Sequence, residues 1–360
     1  MKNLLTLTRI ITLLSLISLV FFSCSKNTNS TQVVPEENAT AWIRIDSLLG
    51  IKEHFGQSVH ADGQQLIFST PKAIYTYPAS GAAPQSFRFD KDAYTRPVYY
   101  RGVAYIIQSD TQIKCIPYAT TDAPFYISLR ELGALNSTRT HFAANTGILD
   151  ALAINNKGQL LIQGNDNYFP QSLYQIQLDN RGRPVWDPAR KSYQIILPDS
   201  VQLSIIRPYS IGDRFFIHSD YKLLGITDKS TANDLTANKD WNVIYVFPSG
   251  DVLYAVIYSE AESKLFLYQS TDKGSTWQRQ APVATFQSRW AQVYSIEDRL
   301  VISYNGRLEE FDVKTYSFRS LSIKGLVGLG INGVAEQNGK VYVAVESGGF
   351  FVKDLADFWN

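Results

Sequence analysis

Seven times along this 360-residue chain a tight turn is followed at once by a short apolar strand, a polar loop and a second strand. The turns and strands read Asp62-Gly63 with QQLIFS, Arg101-Gly102 with VAYIIQS, Lys157-Gly158 with QLLIQGN, and Gly212-Asp213 with RFFIHS. They continue with Gly250-Asp251 and VLYAVIYS, Glu297-Asp298 and RLVISYN, and Asn338-Gly339 and KVYVAVES. Glycine in six of the seven turns is what hairpin turns with positive φ require. Helical periodicity is almost absent, and the strands are rich in Tyr, Val, Ile and Phe. A unit that recurs this often constrains the fold more than any single strand does.

The second strand of each unit recurs as well: AIYTYP, QIKCIP, SLYQIQLD, KLLGITD, KLFLYQSTD, RLEEFD and GGFFVKD. The last five end in Asp179, Asp228, Asp272, Asp312 and Asp354, at intervals of 49, 44, 40 and 42 residues. Four short strands per unit and a period in the forties describe propeller blades. The sequence therefore predicts an all-β fold, a single seven-bladed β-propeller over residues 41–360, with six blades as the alternative count. The longer step from Pro117 to Asp179 places a loop insertion at residues 130–148. The last blade has only three strands before the chain stops at Asn360. The segment Ala41–Asp46 (AWIRID) is expected to supply the fourth and close the ring, which would remove an exposed edge.

The first 23 residues read as a secretory signal. Lys2 and Arg9 precede the 13-residue apolar run Ile10–Phe22, shorter than the about 20 residues that span a bilayer. The run ends at Phe21-Phe22-Ser23-Cys24, which resembles the lipobox of bacterial lipoproteins of the Bacteroidetes type, with Phe21 where leucine is usual. That resemblance implies cleavage before Cys24 and lipid on its sulfur, making the membrane a partner through Cys24. Residues 24–40 are polar and read as a flexible tether. They lack the acidic cluster of surface-exported relatives, so a periplasm-facing place in the outer membrane is expected over the cell surface. The formal net charge of +1 falls to −1 when Lys2 and Arg9 leave with the signal, so nothing favours a nucleic-acid partner. The other cysteine, Cys115, falls in an alternating strand and is expected to be a buried thiol, leaving Cys24 without a disulfide partner.

One local motif is specific. Ser270-Thr271-Asp272-Lys273-Gly274-Ser275-Thr276-Trp277 follows the pattern S-x-D-x-G-x-T-W at every defined position. In such a turn the aspartate accepts hydrogen bonds from turn amides, Gly274 permits a left-handed backbone, and Trp277 packs between blades. A degenerate copy spans Val352–Trp359, and Asp312 with Phe318 is a looser one. The motif resembles the Asp-box (BNR) repeat of the sialidase-like propeller superfamily. There the box is a folding element, so Ser270, Asp272, Gly274, Thr276 and Trp277 are expected to be structural.

Ligands of propellers meet loops around the central axis. Arg96, Arg207 and Arg289 fall near first-strand starts of the second, fourth and sixth blades. The resemblance to sialidases makes them candidates for a carboxylate clamp, since guanidinium forks bind carboxylates bidentately; the plainer reading is surface or packing residues. Trp241 and Trp290 sit at similar positions and are candidate sugar platforms. A second group, Asn165 to Tyr168, His218 to Tyr221, Glu260 and Glu262, falls in expected second-to-third strand loops, where an acidic pair could serve glycoside cleavage or bind calcium. The four histidines have no metal-ligand spacing, and no phosphate loop or nucleophile elbow is present. No catalytic residue, metal or cofactor is assigned. The expected function is a non-enzymatic, monomeric binding or scaffold module that presents one propeller face to a protein or glycan. The alternative is an Asp-box glycoside hydrolase of sialidase or glucanase type.

Overall fold

The computed structural model describes residues 40–81, 83–93, 95–109, 111–128, 140–142, 150–166, 172–186, 193–195, 206–219, 222–226, 232–235, 241–259, 261–283, 291–304, 306–328 and 330–360. These form seven antiparallel sheets, and the chain is a seven-bladed β-propeller. The first strands of the blades, which surround the axis, are Ser58–Ala61, Val98–Tyr100, Leu152–Ile154, Ile206–Ile211, Trp241–Ser249, Gln292–Ile296 and Ile331–Gln337. Blades one, two, four, five and six then add strands outwards in chain order.

Every turn that the repeat marks bends where it should. Gly63, Gly158, Gly212 and Gly250 have positive φ, and in three two-residue turns both residues do: Arg101-Gly102, Glu297-Asp298 and Asn338-Gly339. Two positive φ values are the mark of the type I′ hairpin, whose twist matches that of the flanking strands. The sixth blade achieves this without glycine, holding Glu297 at φ 48° and Asp298 at φ 62°.

Among the described residues the core is seven clusters, one for each contact between neighbouring blades. Along a second strand, successive side chains enter different clusters. Leu66 and Phe68 pack towards the seventh blade while Ile67 packs towards the second. A strand buried on both faces needs no polar alternation, which is why these segments read as continuous apolar runs. Cys115 is fully buried between blades two and three. Close approach of the first strands of blades seven and one depends on Gly333, whose missing Cβ would lie 2.7 Å from the Val59 nitrogen.

Blade three departs from the sequence reading. Residues 130–148 were expected to be a loop, yet Thr140–Phe142 is a strand paired with Gly164–Asp166 at the end of the long strand Gln159–Asp166. The remainder of that insertion lies outside the described residues.

The ring is closed by the N-terminal segment. Ile43–Arg44 pairs with the third strand of blade seven in the register Ile43↔Val352 and Arg44↔Phe351. Two residues of strand make a short seam, and side chains reinforce it. The Trp42 amide and indole N–H donate to the carbonyls of Lys324 (2.8 Å) and Ser322 (2.9 Å). Its ring meets Phe358 edge-on at 5.9 Å. Phe358 belongs to the one helical turn that ends the chain, Leu355–Phe358. The buried Asp46 carboxylate accepts from the Phe350 amide (2.6 Å) and from Arg44 Nε (2.7 Å).

Candidate functional site

Arg96 precedes the first strand of blade two, and among the described residues it reaches the starts of blades three and seven. Pro97 follows it and favours extended backbone at residue 96. The loop before it is fixed by buried Gln57, whose amide donates to the carbonyls of Ala93 and Thr95 at 2.9 Å each and whose carbonyl accepts from Ser69 (3.0 Å). Arg96 Nη1 donates to Asp150 of blade three and Nη2 to Asn332 of blade seven, both at 3.3 Å. Asn332 in turn donates to the Gly56 carbonyl of blade one at 3.0 Å. One guanidinium thus ties blade two to blades three and seven, and through Asn332 to blade one.

The first strands contribute phenols that pack on the clusters between blades, and the Tyr294 phenol lies within reach of the Arg96 charge. Tyr99, Tyr209, Tyr245 and Tyr294 come from blades two, four, five and six and are each partly buried. Burial pushes the hydroxyls of Tyr99, Tyr209 and Tyr294 well above the usual tyrosine range, with Arg96 opposing the shift at Tyr294. These phenols stay protonated and act as neutral donors and acceptors. The Tyr245 hydroxyl accepts from the Val293 amide (3.3 Å) and the Tyr294 hydroxyl donates to Gln292 (2.5 Å). Nearer the hairpin turn of blade one, His60 stacks on Tyr99 with ring centroids 4.4 Å apart. Desolvation lowers its pKa from 6.5, with Asp62 opposing, so it too is neutral at pH 7. Among the described residues, Asp150 faces Arg96, and the Tyr294 phenol lies close enough to feel both charges.

The sequence candidates scatter over this geometry. Arg96 is at the site, though engaged by Asp150 and Asn332. Arg207 lies on the first strand of blade four, opposite His218, and its side chain is outside the described residues. Arg289, Trp290 and Cys24 lie outside them altogether. Trp241 opens the first strand of blade five and packs at 4.5 Å on Tyr268 beside the cluster between blades four and five, so that ring face is occupied. The second group is split: Glu262 lies between the second and third strands of blade five as expected, and four others do not lie in loops. Asn165 and Asp166 are in strand, as are His218 and Ser219, and the His218 ring contacts the Val243 carbonyl at 2.7 Å. Exposed Glu262 pairs with Arg279 at 2.5 Å. Asn167, Tyr168, Asp220, Tyr221 and Glu260 are outside the described residues. Among the described residues no group of three His, Cys, Asp or Glu side chains is placed to hold a metal ion. Asp150, Asn332 and Tyr294 carry no local motif; the signal for the tyrosines is their recurrence on first strands.

The Ser270–Trp277 turn stands at the opposite end of the axis, because the third strand of a blade runs parallel to the first. Lys273 there reaches Asp213 of the neighbouring hairpin turn at 3.5 Å. Asp272 accepts from the Thr276 hydroxyl (2.6 Å), the Thr276 amide (2.8 Å) and the Ser270 hydroxyl (2.7 Å). Those bonds hold its carboxyl down at about 2. The Gly274 amide donates to Ser270 Oγ (2.8 Å), with φ at 89°. Trp277 packs on the cluster between blades four and five. Asp179 and Asp312 cap their own turns in the same manner, accepting from Arg181, Arg183 and Lys314 amides at 2.8 Å. Asp354 does not: it precedes the terminal helix without a capping bond and pairs with Lys340 at 2.7 Å.

No known family model matches the chain, and no curated protein matches it. Solved structures share its fold. The WD40 β-propeller domain of Doa1 is 9% identical with a TM-score of 0.54, covering 86% of this chain and 96% of that one. The Pan2 WD40 domain of Neurospora crassa is 11% identical with a TM-score of 0.53, covering 87% and 94%. The extracellular domain of BT4673 from B. thetaiotaomicron is 12% identical with a TM-score of 0.54, and there the match covers 87% of this chain but 39% of that one. At these identities the likeness is one of fold.

Proposed function

We propose that this chain is an exported lipoprotein of the bacterial cell envelope whose propeller binds a protein or glycan without transforming it. The observation that carries the reading is the engagement of Arg96. Its guanidinium is held by Asp150 and Asn332 from two other blades, so it serves as a brace of a rigid ring rather than as a waiting carboxylate clamp. The protonated Tyr294 phenol near it, with the Tyr99 phenol and the neutral His60 imidazole on other first strands, suits the hydroxyls and amides of an uncharged ligand. Rigid scaffolds that present fixed polar groups lose little entropy on binding. The extracellular setting of the BT4673 domain is in keeping with export.

The test is a panel of glycans and peptides assayed for binding and turnover together. Binding that weakens in Tyr294→Phe, with no product formed, supports the reading. Cleavage of a sialoside or a β-glucan overturns it and favours the alternative, a glycoside hydrolase of the superfamily that the Ser270–Trp277 turn resembles. Lipid attachment is tested separately by metabolic palmitate labelling, which a Cys24→Ala chain is expected to lose.

A further inference from the structure

Six large apolar side chains of the described residues are more than a third exposed, and four of them gather at the ring closure: Ile43 (59%), Leu48 (78%), Ile323 (36%) and Val327 (65%). They are borne on two segments that are locked together. Trp42, next to Ile43, donates twice to the 322–324 backbone. The Leu326 amide, next to Val327, donates to the Ile323 carbonyl at 2.9 Å. The Val327 carbonyl lies so close to Gly348 that a Cβ there would clash with it, and the next residue, Gly349, rests on the Asp46 carboxylate two residues from Leu48. The charged side chains of the two segments, residues 40–50 and 322–328, are Arg44, Lys324 and Asp46. The single acid among them is buried and bonded to Arg44, whereas Lys324 is exposed. The two segments therefore turn an apolar face outward with exposed Arg44 and Lys324 beside it and Glu346 against the 328–330 end, a composition that suits the headgroup boundary of a bilayer.

We propose that this seam is the surface by which the propeller rests on the phospholipid of the membrane that anchors it. The inference builds on lipid attachment at Cys24. Sixteen residues, 25–40, would separate the lipid from the seam, and a flexible chain of that length has an end-to-end distance of roughly 20–24 Å. The tether enters the described fold at residue 40, directly before Trp42 and Ile43, so of all the surface this patch is held nearest the bilayer. Tethering raises its effective concentration at the membrane into the millimolar range, about enough for weak insertion to be populated. A specific protein interface uses roughly 20–30 residues a side, far more than these four side chains on two short segments.

The test uses the full lipidated chain in vesicles of phosphatidylethanolamine and phosphatidylglycerol, with an environment-sensitive dye on Ile323→Cys, on Val327→Cys or on Val185→Cys. Val185 is another exposed apolar residue, on blade three. Brominated lipid is expected to quench the dye several-fold more at 323 and 327 than at 185. Adding Ile43→Asp and Leu48→Asp to the Val327→Cys chain should abolish the difference, while flotation with the vesicles persists. Flotation with equal quenching at all three sites overturns the seam and leaves the lipid anchor standing; failure to float overturns both. A dimer in lipid-free detergent with the 327 dye shielded would assign the patch to a second copy of the chain and overturn the membrane contact.

Discussion

Asp272 shows how one carboxylate earns its place at the end of a strand. Three hydrogen bonds from Thr276 and Ser270 reward its ionised form and lower its pKa to about 2. A carboxyl depressed on folding contributes stability above its unfolded pKa near 3.8, and that contribution fades as pH falls through its folded value. Asp272→Asn is therefore expected to melt below the parent chain at pH 7, with the gap closing between pH 4 and pH 2. A pH series of thermal melts checks this; a gap unchanged down to pH 2 would refute the account. Capping of the same kind at Asp179 and Asp312 gives the recurring aspartate a physical cause. A strand that ends at such a residue finds acceptors for its turn amides without help from elsewhere in the fold.

Turns and strands were legible because their chemistry is local. Six of the seven hairpin turns announced themselves by glycine, and the seventh, Glu297-Asp298, by its place in the repeat. That seventh turn holds two side-chain-bearing residues at positive φ, a conformation glycine adopts more readily. Asp298→Gly is expected to raise stability by about 0.5 kcal/mol, read from the midpoint of urea unfolding. Trp42 makes the opposite case. Its indole fills the space between the Ser322–Lys324 backbone and Phe358 and donates one bond, while Lys353 lies 5.9 Å over its ring. Trp42→Ala is expected to cost about 3–5 kcal/mol, measured by the same unfolding; a loss below about 1 kcal/mol would mean the two-residue strand closes the ring unaided. The strand Thr140–Phe142 was not legible, because three residues inside a polar insertion carry no alternation long enough to read.

At the scale of the molecule, the sequence named Arg96 but not its partners, for a geometric reason. Arg96, Asp150, Tyr294 and Asn332 come from four blades, and only closure of the ring brings them together. Their meeting depends on blade count, which the repeat supplied, and on the rotation of each blade, which it did not. The same closure makes an architectural prediction. A chain beginning at Ser47 would leave the outer edge of blade seven unpaired, and an unpaired edge recruits other strands. Such a chain is expected to self-associate as its concentration rises, which light scattering would report, while the parent stays at constant mass. Asp46 and Phe350 meet across 304 residues of sequence, so the first strand of the fold to be made waits for the last. Loop-closure entropy of that length slows the final step. A chain threaded through a membrane from its N-terminus would hold six blades and an open edge until its C-terminus arrived. The seam thus sets a timetable as well as a topology: the interval between emergence and closure is when this protein is most open to proteases, to chaperones and to pairing with the wrong strand.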